Sequence, residues 1–225
     1  MRKIMIREAR KEEAAQIAQL FLLAWPVEEM AQASGISPEM LLESVTGFAE
    51  REDTIYSYTK TFVAEVEGVE GSSVGAGLVV GARCGYDGAD YQVLKQPIVD
   101  ILGEDSDFAQ LRETEAGEYY LDSVGVLPEF RGNGIAARLF EAHFERAASQ
   151  GHKVAGLIVD VGKPQAEALY ARLGFKHVGF KDFFGHEMKH MVRELDSGSG
   201  SGCEDSGSGC VENESQRAEG AGRAQ

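Results

Sequence analysis

The stretch Val126-Leu127-Pro128-Glu129-Phe130-Arg131-Gly132-Asn133-Gly134-Ile135-Ala136 constrains this chain most, because the hydrophobic period changes across it. Before it, Tyr119 to Val126 reads as a strand. After it, Gly134 to Gln150 repeats its apolar residues at helical spacing and stops at Gly151. Two glycines directly ahead of a helix let the backbone come close to a ligand, and the first-turn amides, which have no intrahelical acceptor, point outward. With the helix dipole and the charge of Arg131 they make an anion site, so phosphate binding is the physical inference. A plain strand-to-helix turn would need only one glycine.

The two periods alternate through the rest of the chain. Ile4 to Ile6 is a short strand, and Lys11 to Leu23 sets Ala14, Ile17, Ala18 and Phe21 on one helical face, ending near Pro26. Ser37-Pro38 supplies an N-cap and a first-turn proline, and Met40, Leu41 and Val45 carry a second helix to about Glu50. Strands follow at Thr61 to Val66 and Gly77 to Cys84, the latter closed by a turn at Tyr86-Asp87-Gly88. A polar, irregular insertion runs from Asp87 to Gly117, with a helix at Tyr91 to Leu102. Beyond the glycine-rich turn and its helix come a strand at Val154 to Val161, a helix at Pro164 to Leu173 stopped by Gly174, and strands at Phe175 to Phe180 and Phe184 to Val192. The β-α-β-α-β-β order implies an α+β domain with a mixed sheet over residues 1–195. From Asp196 to Gln225 there are seven Gly, six Ser and no aromatic residue. Such a segment cannot offset its ordering entropy, so residues 196–225 are read as a disordered, acidic Ser/Gly-rich tail.

Charge removes several function classes. The net charge is −15, of which the tail carries −4, leaving −11 on residues 1–195. An acidic chain without a Lys/Arg-rich run lacks the footprint that nucleic acid or an anionic membrane requires. Neither is expected as a partner. The apolar runs are too short to span a bilayer, and the charged opening Met1-Arg2-Lys3-Ile4-Met5-Ile6-Arg7 does not read as a secretory leader. Three cysteines, two of them (Cys203 and Cys210) in the tail, form no disulfide framework, so a cytoplasmic setting is expected. Cys84 and Trp25 are expected in the core, His143 and His152 at the surface.

Two motifs invite other readings. Gly132-Asn133-Gly134-Ile135-Ala136-Ala137 fits the G-x-G-x-x-A of dinucleotide-binding folds, with Asp160 at the distance of a ribose-binding acid. That turn should begin at the strand's end, however, and five residues intervene here. His186-Glu187-Met188-Lys189-His190 matches H-E-x-x-H, a zinc motif on a helix. Phe184, Met188 and Val192 alternate as in a strand, which loses that geometry, so no metal is expected.

Two separate elements resemble the GNAT superfamily of acyl-CoA-dependent N-acyltransferases. Arg131, Gly134 and Ala136 match its R-x-x-G-x-G/A, and Ala166-Glu167-Ala168-Leu169-Tyr170-Ala171-Arg172-Leu173-Gly174-Phe175 matches its A-x-x-L-Y-x-x-x-G-F. Ile6-Arg7-Glu8-Ala9 is similar to its first strand. The resemblance covers residues 4–192 and implies a three-layer fold, a central mixed, mostly antiparallel sheet flanked by helices. It also implies transfer of acetyl from acetyl-CoA, as co-substrate, to an amine. The pantetheine arm would bond to exposed backbone at Val124, Gly125 and Val126, in a V-shaped cleft between Tyr119 to Val126 and Val154 to Val161. Gly125 is expected at the strand bulge. The pyrophosphate would take the amides of Gly132, Asn133, Gly134, Ile135 and Ala136 beside Arg131. Tyr170 would protonate the leaving sulfur, although Ala166, Leu169, Tyr170 and Leu173 also form an ordinary core stripe. Asp122, sharing a strand face with Tyr120, Val124 and Val126, is the candidate base, or else a carboxylate tied to Ser123 or backbone. Lys163 stands where many relatives carry Asn.

A non-catalytic acyl-CoA-binding protein is the other reading of the same motifs. The acceptor-binding parts are expected to be residues 10–49, 86–88, 89–116 and 181–185, where spacing carries no substrate signature. The surplus of negative charge favours a cationic acceptor. A homodimer is compatible with the sequence, which carries no signature for or against one.

Overall fold

The computed structural model describes residues 3–67 and 77–195. The tail and its two cysteines lie outside the described residues. One seven-stranded sheet in the order β1-β2-β3-β4-β5-β7-β6 carries the fold. Its strands are β1 (Ile4–Glu8), β2 (Thr61–Val66), β3 (Leu78–Asp87), β4 (Tyr119–Val126), β5 (Val154–Asp160), β6 (Lys176–Phe183) and β7 (His186–Glu194). Every neighbouring pair is antiparallel except β4 and β5. A doubly wound dinucleotide fold needs a mainly parallel sheet, so this topology overturns that reading of the glycine motif.

Helices cover both faces, and a single helical turn, α5 (Asp107–Gln110), lies in the insertion. On one face α1 (Ala14–Leu22), α3 (Pro38–Ala49) and α4 (Tyr91–Leu102) pack on Val63, Val79, Ala82, Cys84, Tyr86 and Tyr120. Ile17, Leu20 and Phe21 of α1 are fully buried there, each contributing roughly 1.5–3 kcal/mol. On the other face α6 (Ile135–Ser149) and α7 (Pro164–Arg172) pack through Leu139, Phe140 and Phe144 on Val80, Leu121 and Leu157. The start of α3 follows its capping residues, with Ser37 Oγ accepting from Met40 N at 3.2 Å.

Three local expectations change. Pro26 does more than stop α1: it opens α2 (Val27–Ser34), which closes at Gly35 with φ +67°. Tyr86 and Asp87 belong to β3 and do not form a turn; Asp87 Oδ1 then accepts from Ala89 N and starts a 3-10 turn at Gly88–Asp90 leading into α4. Gly88 is needed for close approach, since a Cβ there would stand 2.1 Å from the Glu115 carbonyl oxygen. His143 is fully buried, between the Tyr119 hydroxyl and the Arg83 carbonyl, and burial pushes its pKa well down. The helical stripe that carries it is simply wider than its aliphatic residues indicate.

Candidate functional site

The site begins where the one parallel pair fails. β4 and β5 are joined only at Tyr119↔Ala155 and Tyr120↔Gly156, and beyond Tyr120 the two strands part. The same point on β4 carries a bulge against β3: Arg83 faces Val124 and Gly85 faces Leu121, so Asp122 and Ser123 together oppose Cys84. The extra residue resets the alternation of faces. Tyr120 lies on the α1 face before the bulge, whereas Val126 after it packs with Ile135 and Leu139 of α6. Asp122 therefore does not share a face with Val126, contrary to simple period-two reading. Gly125 lies past the bulge, where α1 crosses: a Cβ on it would stand 1.8 Å from the Leu20 carbonyl oxygen.

On the α1 face, Asp122 is firmly held. Its Oδ2 accepts from the Tyr86 hydroxyl at 2.8 Å, and its Oδ1 accepts from Ser123 N at 2.6 Å and Ser123 Oγ at 3.0 Å. Trp25 Nε1 in turn donates to Ser123 Oγ at 2.9 Å. Trp25 is thus only partly buried and reaches the bulge. A second carboxylate, Glu113, accepts from the Tyr91 and Tyr120 hydroxyls at 3.1 and 3.0 Å. Burial raises the pKa of Asp122 against the pull of its hydrogen bonds, and burial with the nearby Asp122 charge pushes Glu113 up to about 8. Aromatic rings enclose the pair: Tyr86 lies 5.8 Å from Tyr120 and stacks on Tyr91, and Trp25 lies 5.0 Å from Tyr56.

At the far end of β4 the chain turns through Gly132 (φ +80°) and Gly134 (φ +71°), and Gly134 is the N-cap of α6. Both glycines supply the left-handed conformation, and a Cβ on either would meet nothing within 4 Å. The space ahead of the helix is open, and none of the amides of Gly132 to Ala136 donates to a backbone carbonyl. Arg131 folds back, its Nε donating to the Val126 carbonyl at 3.0 Å, and Asn133 Nδ2 donates to the Phe130 carbonyl at 3.0 Å. These residues fit an extended anionic group with a diphosphate at the helix terminus.

On the α6 face, Tyr170 of α7 packs 5.4 Å from Phe140 and 6.2 Å from Phe175, at the margin of the core. Burial raises its pKa while the neighbouring Arg83 charge lowers it. Asp122 and Tyr170 therefore stand on opposite faces of the sheet, beside the region where β4 and β5 part. Lys163 Nζ donates to the Ala24 carbonyl at 3.0 Å, linking the start of α7 to the end of α1. Leu111, Arg112 and Glu115 of the insertion and Phe180, Lys181 and Phe184 of the β6–β7 hairpin share a groove of about 770 Å³.

The H-E-x-x-H residues lie on β7, where His190 pairs with Glu118 at 2.8 Å. Among the described residues no group of three or more His, Cys, Asp or Glu is gathered to hold a metal, and no helix is long and apolar enough to cross a membrane. Asp160 Oδ1 accepts from Gly162 N at 2.6 Å. Trp25, Tyr86, Tyr91 and Glu113 fall within the segments expected on the acceptor side, but the sequence pattern assigns none a role beyond Trp25 in the core and Tyr86 in a turn, and assigns Arg83 none. Only the clustering of tyrosines at 86, 91 and 119–120 offered a signal.

Comparison with known proteins gives one family. Residues 40–175 match the model of the acetyltransferase (GNAT) family. An uncharacterised N-acetyltransferase of Escherichia coli strain K12, YjgM, is 33% identical over 110 residues, spanning 43% of this chain and 66% of the relative, just under two thirds of its length. A solved acetyltransferase structure is 30% identical with a TM-score of 0.66, covering 85% of this chain and all of its own. An N-acetyltransferase from Staphylococcus aureus Mu50, 23% identical with a TM-score of 0.68, shares the fold over 84% of this chain and 99% of its own.

Proposed function

This chain belongs to the GNAT family of acetyltransferases, and on that premise we propose that it transfers the acetyl group of acetyl-CoA directly to a primary amine of a small molecule or peptide. One observation carries the reading: β4 and β5 part at a bulge that has a buried carboxylate on one face of the sheet and a tyrosine on the other, with free amides at the end of the same strand. The unpaired edge of β4 at Val124, Gly125 and Val126 would bond the pantetheine arm, and the amides of Gly132 to Ala136 with Arg131 would take the diphosphate. Acetyl-CoA supplies an activated thioester carbonyl.

The chain's own groups supply the proton movements. An acceptor that arrives as an ammonium ion first sheds one proton to solvent; Asp122 takes the second as nitrogen bonds to the carbonyl carbon, and its raised pKa suits a base. As the carbon–sulfur bond breaks, Tyr170 gives its hydroxyl proton to the sulfur, and solvent later restores both groups. Asp122, walled by Trp25, Tyr56, Tyr86 and Tyr91, favours an acceptor that arrives as a cation, and the net charge adds to this preference, while Glu113, held neutral by its raised pKa, adds no charge. The groove between the insertion and the β6–β7 hairpin gives room for the rest of such an acceptor. A cytoplasmic setting completes the reading and rests on the free, buried Cys84.

The test is free-thiol release from acetyl-CoA in the presence of a panel of amines, with melting temperature measured alongside. Amine-dependent release, greatest for cationic amines, is expected. Acetyl-CoA raising the melting temperature with no release for any amine would instead make the chain a non-catalytic acyl-CoA binder, and no effect of acetyl-CoA on either readout would end the proposal.

A further inference from the structure

Arg83 is the most anomalous side chain in the molecule. It sits in the middle of β3, is 1% exposed, and its guanidinium carbon lies 3.6 Å from the centre of the Phe140 ring. Nε and Nη1 have no hydrogen-bond partner, and among the described residues no carboxylate lies within ion-pair distance of it. Stacking on an aromatic ring returns only part of what it costs to desolvate a cation, and two unmade hydrogen bonds add to the deficit. Burial accordingly lowers its pKa. Such an arrangement is stable only if the rest of the fold tolerates it, and strain of this kind collects where charge changes during function.

The neighbours indicate which charge. Arg83 and Tyr170 flank the same Phe140 ring, Arg83 from β3 and Tyr170 from α7, on the face opposite Asp122. The ionisable groups around Arg83 are Tyr170 of α7, Asp122, Tyr119 and Tyr120 of β4, Cys84 of β3 and His143 of α6, and the Tyr119 hydroxyl is already taken up by the Gly85 carbonyl and His143. His143 is buried with a depressed pKa and does not compete for the guanidinium as an anion. Cys84 and Tyr120 have raised pKa values and stay neutral. Asp122 is occupied by Tyr86 and Ser123. Tyr170 alone lies on the same side of the sheet with its hydroxyl free of another partner among the described residues.

We propose that Arg83 is a positioning residue for the leaving-group step: its buried guanidinium, stacked on the same Phe140 ring as Tyr170, stabilises the negative charge left on the Tyr170 phenol when its proton passes to the departing sulfur. This rests on the acetyl-transfer reading. The step balances: the nitrogen–carbon bond forms, the carbon–sulfur bond breaks with its electron pair on sulfur, the Tyr170 proton moves to sulfur, and the phenolate remains opposite the guanidinium until solvent reprotonates it. An Arg83 confined to structure would leave Tyr170 ionisation untouched.

The experiment compares Arg83→Met, Arg83→Lys, Tyr170→Phe and the Arg83→Met/Tyr170→Phe double variant. Ultraviolet titration of tyrosinate, as the difference between each protein and its Tyr170→Phe counterpart, needs no turnover. It therefore separates failure of this proposal from failure of the acetyl-transfer reading. Loss of the charge is expected to move Tyr170 ionisation up by about one pH unit or more, and Arg83→Lys should keep it near the wild-type value. In turnover, Arg83→Met should lose about a hundredfold in kcat with little change in the KM for acetyl-CoA, and nothing further in the Tyr170→Phe background. An unmoved titration, or an equal loss of kcat in both backgrounds, would overturn the proposal. If Arg83→Met fails to fold, Arg83→Gln against Arg83→Lys carries the same contrast of charge lost and charge kept.

Discussion

Replacing Gly125 by alanine tests the central geometry, the crossing of α1 over β4 just beyond the bulge. The added Cβ would lie 1.8 Å from the Leu20 carbonyl oxygen, 2.5 Å from its carbon and 3.1 Å from its Cα. Because these are backbone atoms no rotamer can relieve the clash, and α1 must recede by about 1.5 Å to restore contact distance. The helix has nine residues, so it is about 13.5 Å long and, with side chains, about 10 Å wide. Pivoting about its far end opens a void of about 100 Å³ beneath Ile17, Leu20 and Phe21, which at about 24 cal/mol per Å³ costs about 2.4 kcal/mol. Residual overpacking adds about 1–3 kcal/mol. A domain of this size loses about 2–4 °C per kcal/mol, so a fall of about 7–20 °C in melting temperature is expected by circular dichroism or calorimetry. Gly47→Ala is the control: it lies on the exposed side of the last turn of α3, a Cβ there meets nothing within 4 Å, and the change should stabilise by up to about 0.5–1 kcal/mol. A Gly125→Ala protein melting within about 2 °C of wild type would refute the close crossing, and with it the account of why β4 carries a glycine there.

Two further outcomes follow from the carboxylates. Asp122→Asn should lower kcat by about 10²–10⁴-fold and abolish the rise of activity with pH, measured with an acceptor of low basicity so that only the protein group titrates; an unchanged profile would remove Asp122 as base. Glu113, pushed from an ordinary 4.5 to about 8, holds a proton in the folded state that the unfolded chain has released, so its contribution to stability falls as pH rises from about 4.5 to 8. Glu113→Gln should remove that decline, worth on the order of a few kcal/mol across the window, and a melting-temperature difference from wild type that stays constant with pH would show that Glu113 is not buried in its neutral form.

Strand and helix limits were legible wherever one period ran long enough to repeat. β4 at Tyr119–Val126 and α4 at Tyr91–Leu102 appear as read, and the capped start of α3 followed from Ser37-Pro38 alone. The glycine turn ahead of α6 was equally plain, because positive φ at two residues favours glycine whatever the tertiary context. The bulge was not legible. It arises from pairing with β3, and one extra residue on β4 sends Val126 to the opposite face from the one that strict alternation assigns. Glycine at 125 reads as the bulge itself, whereas the bulge falls at Asp122 and Ser123 and the glycine instead makes room for α1 to cross. The buried acid on the α1 face was hidden for a related reason. Glu113 sits in a polar stretch that looks like solvated loop, and only docking of that stretch against Tyr91 and Tyr120 turns it into a buried acid. Arg83 reads as an ordinary charge interrupting an apolar strand, and no local pattern distinguishes a solvent-facing arginine from one stacked under a helix.

The acidity of the chain gains a spatial meaning from this arrangement. A protein at −15 repels an anionic cofactor at long range, so attraction must come from groups whose fields act over short distances. The α6 terminus and Arg131 lie beside β4's open edge, and Arg83 lies under α6, where low dielectric strengthens its field and screens it least. All of these positive features act at the end of β4 or on the α6 face. The Asp122 carboxylate is on the α1 face, with the neutral Glu113 acid near it. The sheet thus separates a face that prefers cations from one that prefers anions. In the proposed transfer the amine gives up a proton on the first side while negative charge grows on sulfur at the second. Charge moves in the reaction along the direction in which the fold is already polarised, so little protein reorganisation is needed as the transition state forms. Removing the buried charge from one face, as Arg83→Met does, should therefore cost more in kcat than in binding.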